Sequence, residues 1–152
     1  MTSPSPDRIG SVVADRYEIR ALLGEGGMAR VYAAHDRKHD RQVAIKMLRA
    51  ELTVALGTDR FLREIRIAAR LTHPHILPLY DSGEDQGALY YVMPLIEGES
   101  LRERLASHGP LPLLEASRIT HEVAEALTYA HEQGFVHRDI KPDNIMLARG
   151  HA

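Results

Sequence analysis

Hydrophobic and polar positions change period several times along the chain. Tyr17-Glu18-Ile19-Arg20-Ala21 alternates apolar and polar, as a strand with one buried face does. Arg30-Val31-Tyr32-Ala33-Ala34 and Gln42-Val43-Ala44-Ile45-Lys46-Met47-Leu48 are further β-like runs, separated by glycines at 24, 26 and 27 and by a polar turn over 36–41. Three strands joined so closely predict an antiparallel meander. Over 59–71 the spacing turns helical: Phe61, Ile65, Ala68 and Leu71 or Thr72 share a face, arginines fill the remainder, and Pro74 and Pro78 close the segment. Strands are expected again at 77–83 and 88–93, about the turn Glu84-Asp85-Gln86-Gly87. Pro94, Gly98 and Glu99 interrupt the pattern and suggest a boundary between two lobes.

The remainder reads as helix. A short one is expected at 100–107 with Ser100 as N-cap, and a long one at 113–133 stopped by Gly134. The long helix sets Ala116, Ile119, Val123, Leu127 and Ala130 on one face. Residues 1–16, Ser/Pro-rich at the start, read as a flexible leader. The predicted class is therefore α+β: a five-stranded antiparallel lobe with one helix over 17–96, then a helical lobe over 97–152.

Composition narrows the function classes. With 44% hydrophobic and 26% charged residues among 152, the chain has the balance of a packed domain rather than a disordered one. Nineteen basic and 21 acidic residues leave a charge of −2, so no global field draws it to nucleic acid. The absence of cysteine removes disulfides, thiolate metal sites and a cysteine nucleophile together. No apolar run nears the ~20 residues of a membrane span, and residues 1–8 lack the apolar core of a signal peptide. The expected location is cytoplasmic. Only three of the 19 basic residues are lysines, Lys38, Lys46 and Lys141; they mark either places where a compact point charge is wanted rather than a planar fork, or chance survivors of a codon bias toward arginine.

Three stretches carry candidate chemistry. In Gly24-Glu25-Gly26-Gly27-Met28-Ala29-Arg30-Val31 the glycines let backbone N–H groups approach phosphate oxygens. Strand-like residues on both sides and the lack of a following Gly-Lys-Ser/Thr exclude a dinucleotide fingerprint and a P-loop, leaving a glycine-rich hairpin. In Val43-Ala44-Ile45-Lys46 an inward lysine on an apolar strand needs an anion, either phosphate or a carboxylate such as Glu64 on the following helix, whose other reading is a surface i,i+4 partner among the arginines of that helix. In His137-Arg138-Asp139-Ile140-Lys141-Pro142-Asp143-Asn144 a base, a cation and an amide oxygen fall within six residues. Phosphoryl transfer calls for that set: a group to deprotonate a hydroxyl, a charge to neutralise the moving phosphoryl group, and a ligand for Mg²⁺. His73-Pro74-His75 has no third ligand arranged with it and is read as a structural turn, so no metal site is assigned there.

Taken in order, these stretches resemble the first part of the catalytic domain of a eukaryotic-like serine/threonine protein kinase of the bacterial type, from about residue 17 to 147. The resemblance implies a protein-kinase-like fold whose helical lobe is incomplete here. It implies ATP and Mg²⁺ as cofactors, with a serine or threonine hydroxyl of a protein as acceptor. Gly24, Gly26, Gly27 and Ala29 would form the loop over the phosphates. Lys46 would hold the α- and β-phosphates and pair with Glu64 when the helix is swung in. Leu23, Val31, Ala44 and Met146 would enclose the adenine, with Met93, Pro94 and Ile96 alongside. Asp139 would be the catalytic base, Lys141 the companion of the transferred phosphate, and Asn144 a metal ligand. Arg138 implies control by phosphorylation and a role in signalling.

Two departures qualify the resemblance. Ala29 stands where the third loop glycine is usual, which stiffens the hairpin slightly. No Asp-Phe-Gly follows Met146-Leu147, since the only phenylalanines are Phe61 and Phe135. The expectation is a truncated fragment with weak or no activity. The alternative is a short nucleotide-binding or interaction module that pairs an uncovered helix 113–133, bearing Ile119, Val123 and Leu127, with a partner protein.

Overall fold

The computed structural model describes residues 8–26, 29–149 and 152. The chain forms two compact units, one holding the residues up to Ala69 together with Pro78–Leu95, the other Arg70–Leu77 with Ile96–Ala152.

The first unit is built on one antiparallel sheet. Its strands are β1 (Val12–Val13), β2 (Tyr17–Glu25), β3 (Ala29–Asp36), β4 (Arg41–Leu48), β5 (Asp81–Asp85) and β6 (Ala88–Pro94), in the spatial order β1-β2-β3-β4-β6-β5. Two helices, α1 (Ala50–Leu56) and α2 (Thr58–Ala68), lie between β4 and β5 and are separated by Gly57 at φ 75°. The sheet thus has six strands rather than the five expected, and two helices accompany it rather than one. The added strand comes from the segment read as leader: Val12 and Val13 pair with Glu18 and Tyr17, and Val13 is fully buried. Ala14 and Asp15 turn the chain back with φ of 51° and 56°, a tight hairpin made without the glycine that usually signals one. The strand expected at 77–83 begins only at Asp81. Pro78 has no N–H to donate, and the first pairing is the Tyr80 N–H on the Val92 carbonyl at 2.8 Å.

Register sorts the strands' side chains between two faces, because residues directly abreast in a ladder point the same way. Tyr32, Ile45 and Val92 share one face with Tyr17, Ile19, Ala34, Val43, Met47 and Tyr90, and these form the buried core. The opposite face carries Val31, Lys46 and Tyr91 abreast, then Ala33, Ala44 and Met93.

The outer edges of the sheet are tied across by side chains. The Tyr17 hydroxyl donates to Asp81 at 2.8 Å, Arg8 pairs with Asp85 at 3.1 Å, and the Ala14 N–H donates to the same Asp85 carboxylate at 3.2 Å. Beneath them the fully buried Asp36 takes a two-pronged grip from Arg16, with Nε at 2.8 Å and Nη2 at 2.9 Å, and accepts the Lys38 N–H at 3.0 Å.

The second unit contains the two-stranded pair β7 (Glu99–Ser100) and β8 (Met146–Leu147), helices α3 (Leu101–His108) and α4 (Leu113–Glu132), and a 3-10 turn at Pro142–Asn144. Ser100 caps α3 as expected and completes a capping box: its hydroxyl accepts the Glu103 N–H at 3.1 Å, and Glu103 accepts the Ser100 N–H at 2.7 Å. On α4 the most buried positions are Ile119, Glu122, Ala126 and Ala130, while Ala116, Val123 and Leu127 are half-buried. The inner stripe is therefore rotated toward 122 and 126. Small side chains at 126 and 130 permit close packing, and the Glu122 carboxylate accepts the Ala152 N–H at 2.7 Å. The open apolar face expected on this helix is not seen, because Ile119 is only 3% exposed. The exposed large apolar side chains of α4 are instead Leu113 and Leu114, at its first turn.

Candidate active site

In the first unit, the glycine-rich segment is the tip of the β2–β3 hairpin. A register shift between Leu22 and Gly24 makes Leu23 a bulge residue and brings Gly24 opposite Val31, and so onto the face of Lys46. A Cβ at Gly24 would meet no protein atom within 4 Å, so the space above that backbone is open. At the tip the Gly26 N–H donates to the Ala29 carbonyl at 3.0 Å. That N–H is committed to the turn and is not a phosphate donor in this conformation. Ala29 itself is buried. Gly27 lies outside the described residues.

Lys46 is half-buried on β4, flanked by Val31 on β3 and Tyr91 on β6, with its ammonium 5.8 Å from the Tyr91 ring centroid. Among the described residues it has no carboxylate within ion-pair distance. Glu64 lies on the exposed side of α2 and pairs with Arg60 at 3.5 Å, one turn earlier. The structure therefore does not bring Lys46 and Glu64 together. Ala44 and Met93 stand abreast, one step along the same face, and Pro94 ends β6.

In the second unit, His137–Asn144 forms a compact loop. Arg138 adopts φ 67°, a left-handed conformation that costs a non-glycine residue about 1 kcal/mol. The Asp139 N–H donates to His137 Nδ1 at 3.1 Å, and Asn144 Nδ2 donates to the Asp139 carbonyl at 2.9 Å. These bonds turn the Asp139 side chain outward, where Lys141 Nζ and Asn144 Nδ2 both approach its Oδ2 at 3.3 Å. Asp139, Lys141 and Asn144 thus meet at one carboxylate oxygen. The following strand β8 is held by β7, the Leu101 N–H donates to the Ile145 carbonyl at 2.8 Å, and Asp143 is ion-paired with Arg102. Met146 is half-buried on β8 opposite Ser100, and Ile96 is half-buried at the start of this unit's main segment.

The comparisons agree on one assignment. The protein kinase domain family matches residues 17–152. The chain belongs to the protein kinase family. PrkC of Bacillus subtilis, a serine/threonine-protein kinase, is 43% identical over 142 residues, which cover 91% of this chain and 22% of that protein. PknB of Mycobacterium leprae, also a serine/threonine-protein kinase, is 41% identical over 145 residues, 92% of this chain and 23% of that protein. The crystal structure of the Mycobacterium tuberculosis PknI kinase domain matches with a TM-score of 0.81 at 36% identity, over 93% of this chain and 58% of that one. The fold is accordingly protein-kinase-like. The chain spans little more than a fifth of the length of PrkC or PknB, and its similarity is to the N-terminal part of the catalytic domain.

Members of this family use ATP and Mg²⁺, and the residues present fit both. Lys46 is a half-buried cation without an acidic partner among the described residues, which suits an anionic ligand. With Asn144 Nδ2 spent on Asp139, the Asn144 Oδ1 accepts no hydrogen bond among the described residues, and a hard oxygen of that kind suits Mg²⁺. No group of three His, Cys, Asp or Glu able to hold a metal exists among the described residues. No helix among the described residues is long and apolar enough to cross a membrane.

Two structural features escape the sequence pattern. Gly98 reads there only as an interruption, yet a Cβ at that position would run into the Leu147 backbone carbonyl, so the glycine permits the close approach of β7 and β8. Glu25 reads as a loop residue, yet it is gripped by Arg30 at 2.8 Å and Arg49 at 3.3 Å.

Proposed function

We propose that this chain carries the ATP-binding and catalytic-loop residues of a serine/threonine protein kinase that transfers a phosphoryl group from ATP to a protein hydroxyl. The observation that carries the reading is the meeting of Lys141 and Asn144 at Asp139 Oδ2. Asp139 is an exposed carboxylate aimed away from its own backbone, so it can accept the proton of an incoming hydroxyl as the oxygen–phosphorus bond forms and the bond to ADP breaks. Lys141, already beside it, neutralises charge on the phosphoryl oxygens. Lys46 binds the non-transferred phosphates in exchange for the carboxylate partner it lacks. Asn144 Oδ1 would hold Mg²⁺, which would supply charge neutralisation at the phosphates. Val31, Ala44 and Met93, on the Lys46 face of the sheet, offer apolar surface for the adenine. Pairing of Glu64 with Lys46 requires release of Glu64 from Arg60.

Asp-Phe-Gly, the segment that supplies this family's principal Mg²⁺ ligand, is not among the 152 residues. Nucleotide binding by this chain is therefore the direct test, with turnover weak or absent. A fluorescent ATP analogue titrated in the presence of Mg²⁺ should bind. Lys46→Met should weaken it about tenfold, in line with loss of a charge-assisted phosphate contact, and Asp139→Asn should leave it unchanged. Absence of binding at millimolar nucleotide, or equal binding by Lys46→Met, overturns the reading.

A further inference from the structure

The hairpin over which the nucleotide phosphates are placed is not held by its own turn alone. Arg49 follows β4 directly, three residues after Lys46, and its carbonyl accepts the Leu52 and Thr53 N–H groups at 3.0 and 3.2 Å to open α1. Its backbone is therefore fixed between the strand that carries Lys46 and the helix that follows. From that anchor the guanidinium reaches the hairpin tip, where Nη2 donates to the Gly26 carbonyl at 3.1 Å and to Glu25 Oε1 at 3.3 Å. The same Glu25 oxygen accepts Arg30 Nε at 2.9 Å and Nη2 at 2.8 Å. This bond is the main reason the Arg30 guanidinium is held more firmly protonated than usual.

Gly26 is thereby engaged on both sides, its N–H by Ala29 and its carbonyl by Arg49. Glycine has the largest backbone freedom to lose, so a glycine-rich tip without such partners would have to be ordered by the ligand itself. Arg49 removes part of that cost beforehand. An arginine suits the task because one planar head presents several donors in a fixed fork.

We infer that Arg49 is a positioning residue for nucleotide binding: it clamps the glycine hairpin through Glu25 and the Gly26 carbonyl, and so presets the loop at the phosphate side of the site. This inference rests on the nucleotide-binding reading above. Arg49 and Glu25 are both about two-fifths exposed, at 42% and 43%, so the effect is modest. The expected loss of affinity for an ATP analogue is about two- to fivefold, the range of an exposed pair whose partners are otherwise free to move.

The test uses the 152-residue chain, its Arg49→Ala and Arg49→Lys variants, and Glu25→Arg with Arg49→Glu alone and combined. Fluorescent ATP-analogue and adenosine affinities are measured beside amide hydrogen exchange over 22–31. Arg49→Ala should weaken the ATP analogue while leaving adenosine binding and the unfolding midpoint in place. It should also speed exchange at the Gly26 amide without any nucleotide present. Arg49→Lys should recover only part of the affinity, and the charge-swapped double variant should bind better than either single reversal. Equal ATP-analogue affinity in Arg49→Ala, equal loss for adenosine, or unchanged exchange at Gly26 each overturns the clamp. If the unaltered chain binds no nucleotide, the functional reading fails, while the exchange comparison still decides whether Arg49 orders the hairpin.

Discussion

Replacing Arg16 by methionine keeps most of the aliphatic stem and removes the guanidinium that faces the buried Asp36. That guanidinium makes two hydrogen bonds of 2.8 and 2.9 Å to the carboxylate, a further contact of 2.8 Å to His39 Nδ1, and lies 4.9 Å from the Tyr17 ring centroid. Its loss strands a fully buried carboxylate, a change that costs about 3–5 kcal/mol when nothing else compensates. Asp36 retains the Lys38 and His39 amides at 3.0 and 3.4 Å, the His39 ring at 3.2 Å and Arg41 at 3.8 Å. The lower end of the range, about 3 kcal/mol, is therefore expected at pH 7. Urea denaturation followed by far-ultraviolet circular dichroism measures it, and with a slope of about 2 kcal/mol/M the midpoint should fall by about 1.5 M. The pH dependence has a definite sign. The hydrogen bonds from Arg16 hold the Asp36 carboxyl well below the usual carboxylate range. Its stabilising contribution is complete above the unfolded value of about 3.9 and is lost as pH falls below it. The gap between the two proteins should consequently narrow below about pH 4. A midpoint change under about 0.3 M at pH 7, or a gap that stays constant down to pH 3, would show that Arg16 does not sustain the buried Asp36 carboxylate.

Gly98→Ala should force the Gly98 and Leu147 backbones apart. A cost of about 1–3 kcal/mol is expected by differential scanning calorimetry, together with weaker ATP-analogue binding through displacement of Met146. An unshifted melting temperature would show that the β7–β8 approach is not tight. Ser100→Ala removes one half of the capping box at α3 and should cost about 1 kcal/mol, with faster amide exchange at 101–104. Unchanged exchange there would mean the helix start is held by the β7–β8 pair instead.

Much of this architecture is legible in the sequence because local and tertiary signals agree. The 3.6-residue period of α4, the Ser100-x-x-Glu103 cap and the strand alternation around Tyr32 and Ile45 all coincide with the observed elements. Asp139, Lys141 and Asn144 are legible as a group because they lie within six positions. What could not be read depends on distant partners. Val12–Val13 is too short to show alternation and becomes a strand only because Tyr17 and Glu18 lie opposite. The α1 helix lacks a side-chain cap, and its clearest sequence mark is Gly57 at its end. Glu122 is a polar residue on an apolar face, made tolerable by an N–H donor thirty residues away. Glu64 stands out by its minority charge on an arginine-rich helix, and the cation it pairs with, Arg60, is the i,i+4 neighbour that helical spacing offers. A pairing with Lys46 would depend on the orientation of α2, which no local pattern encodes.

The ties across the rim of the sheet bear on how copies of this protein behave toward one another. A sheet of six strands leaves two rows of unsatisfied backbone groups, and such rows recruit strands from other molecules. Here one terminal strand, β1, is two residues long, and the other, β5, reads Asp-Ser-Gly-Glu-Asp, with three carboxylates and no apolar side chain. Arg8 and the Ala14 amide then occupy Asp85, while Tyr17 and Arg16 occupy Asp81. The residues that read as a flexible leader thus supply a two-residue edge strand and the partners of the other edge's carboxylates, an arrangement that disfavours edge-to-edge association and so bears on solubility at high concentration rather than on catalysis.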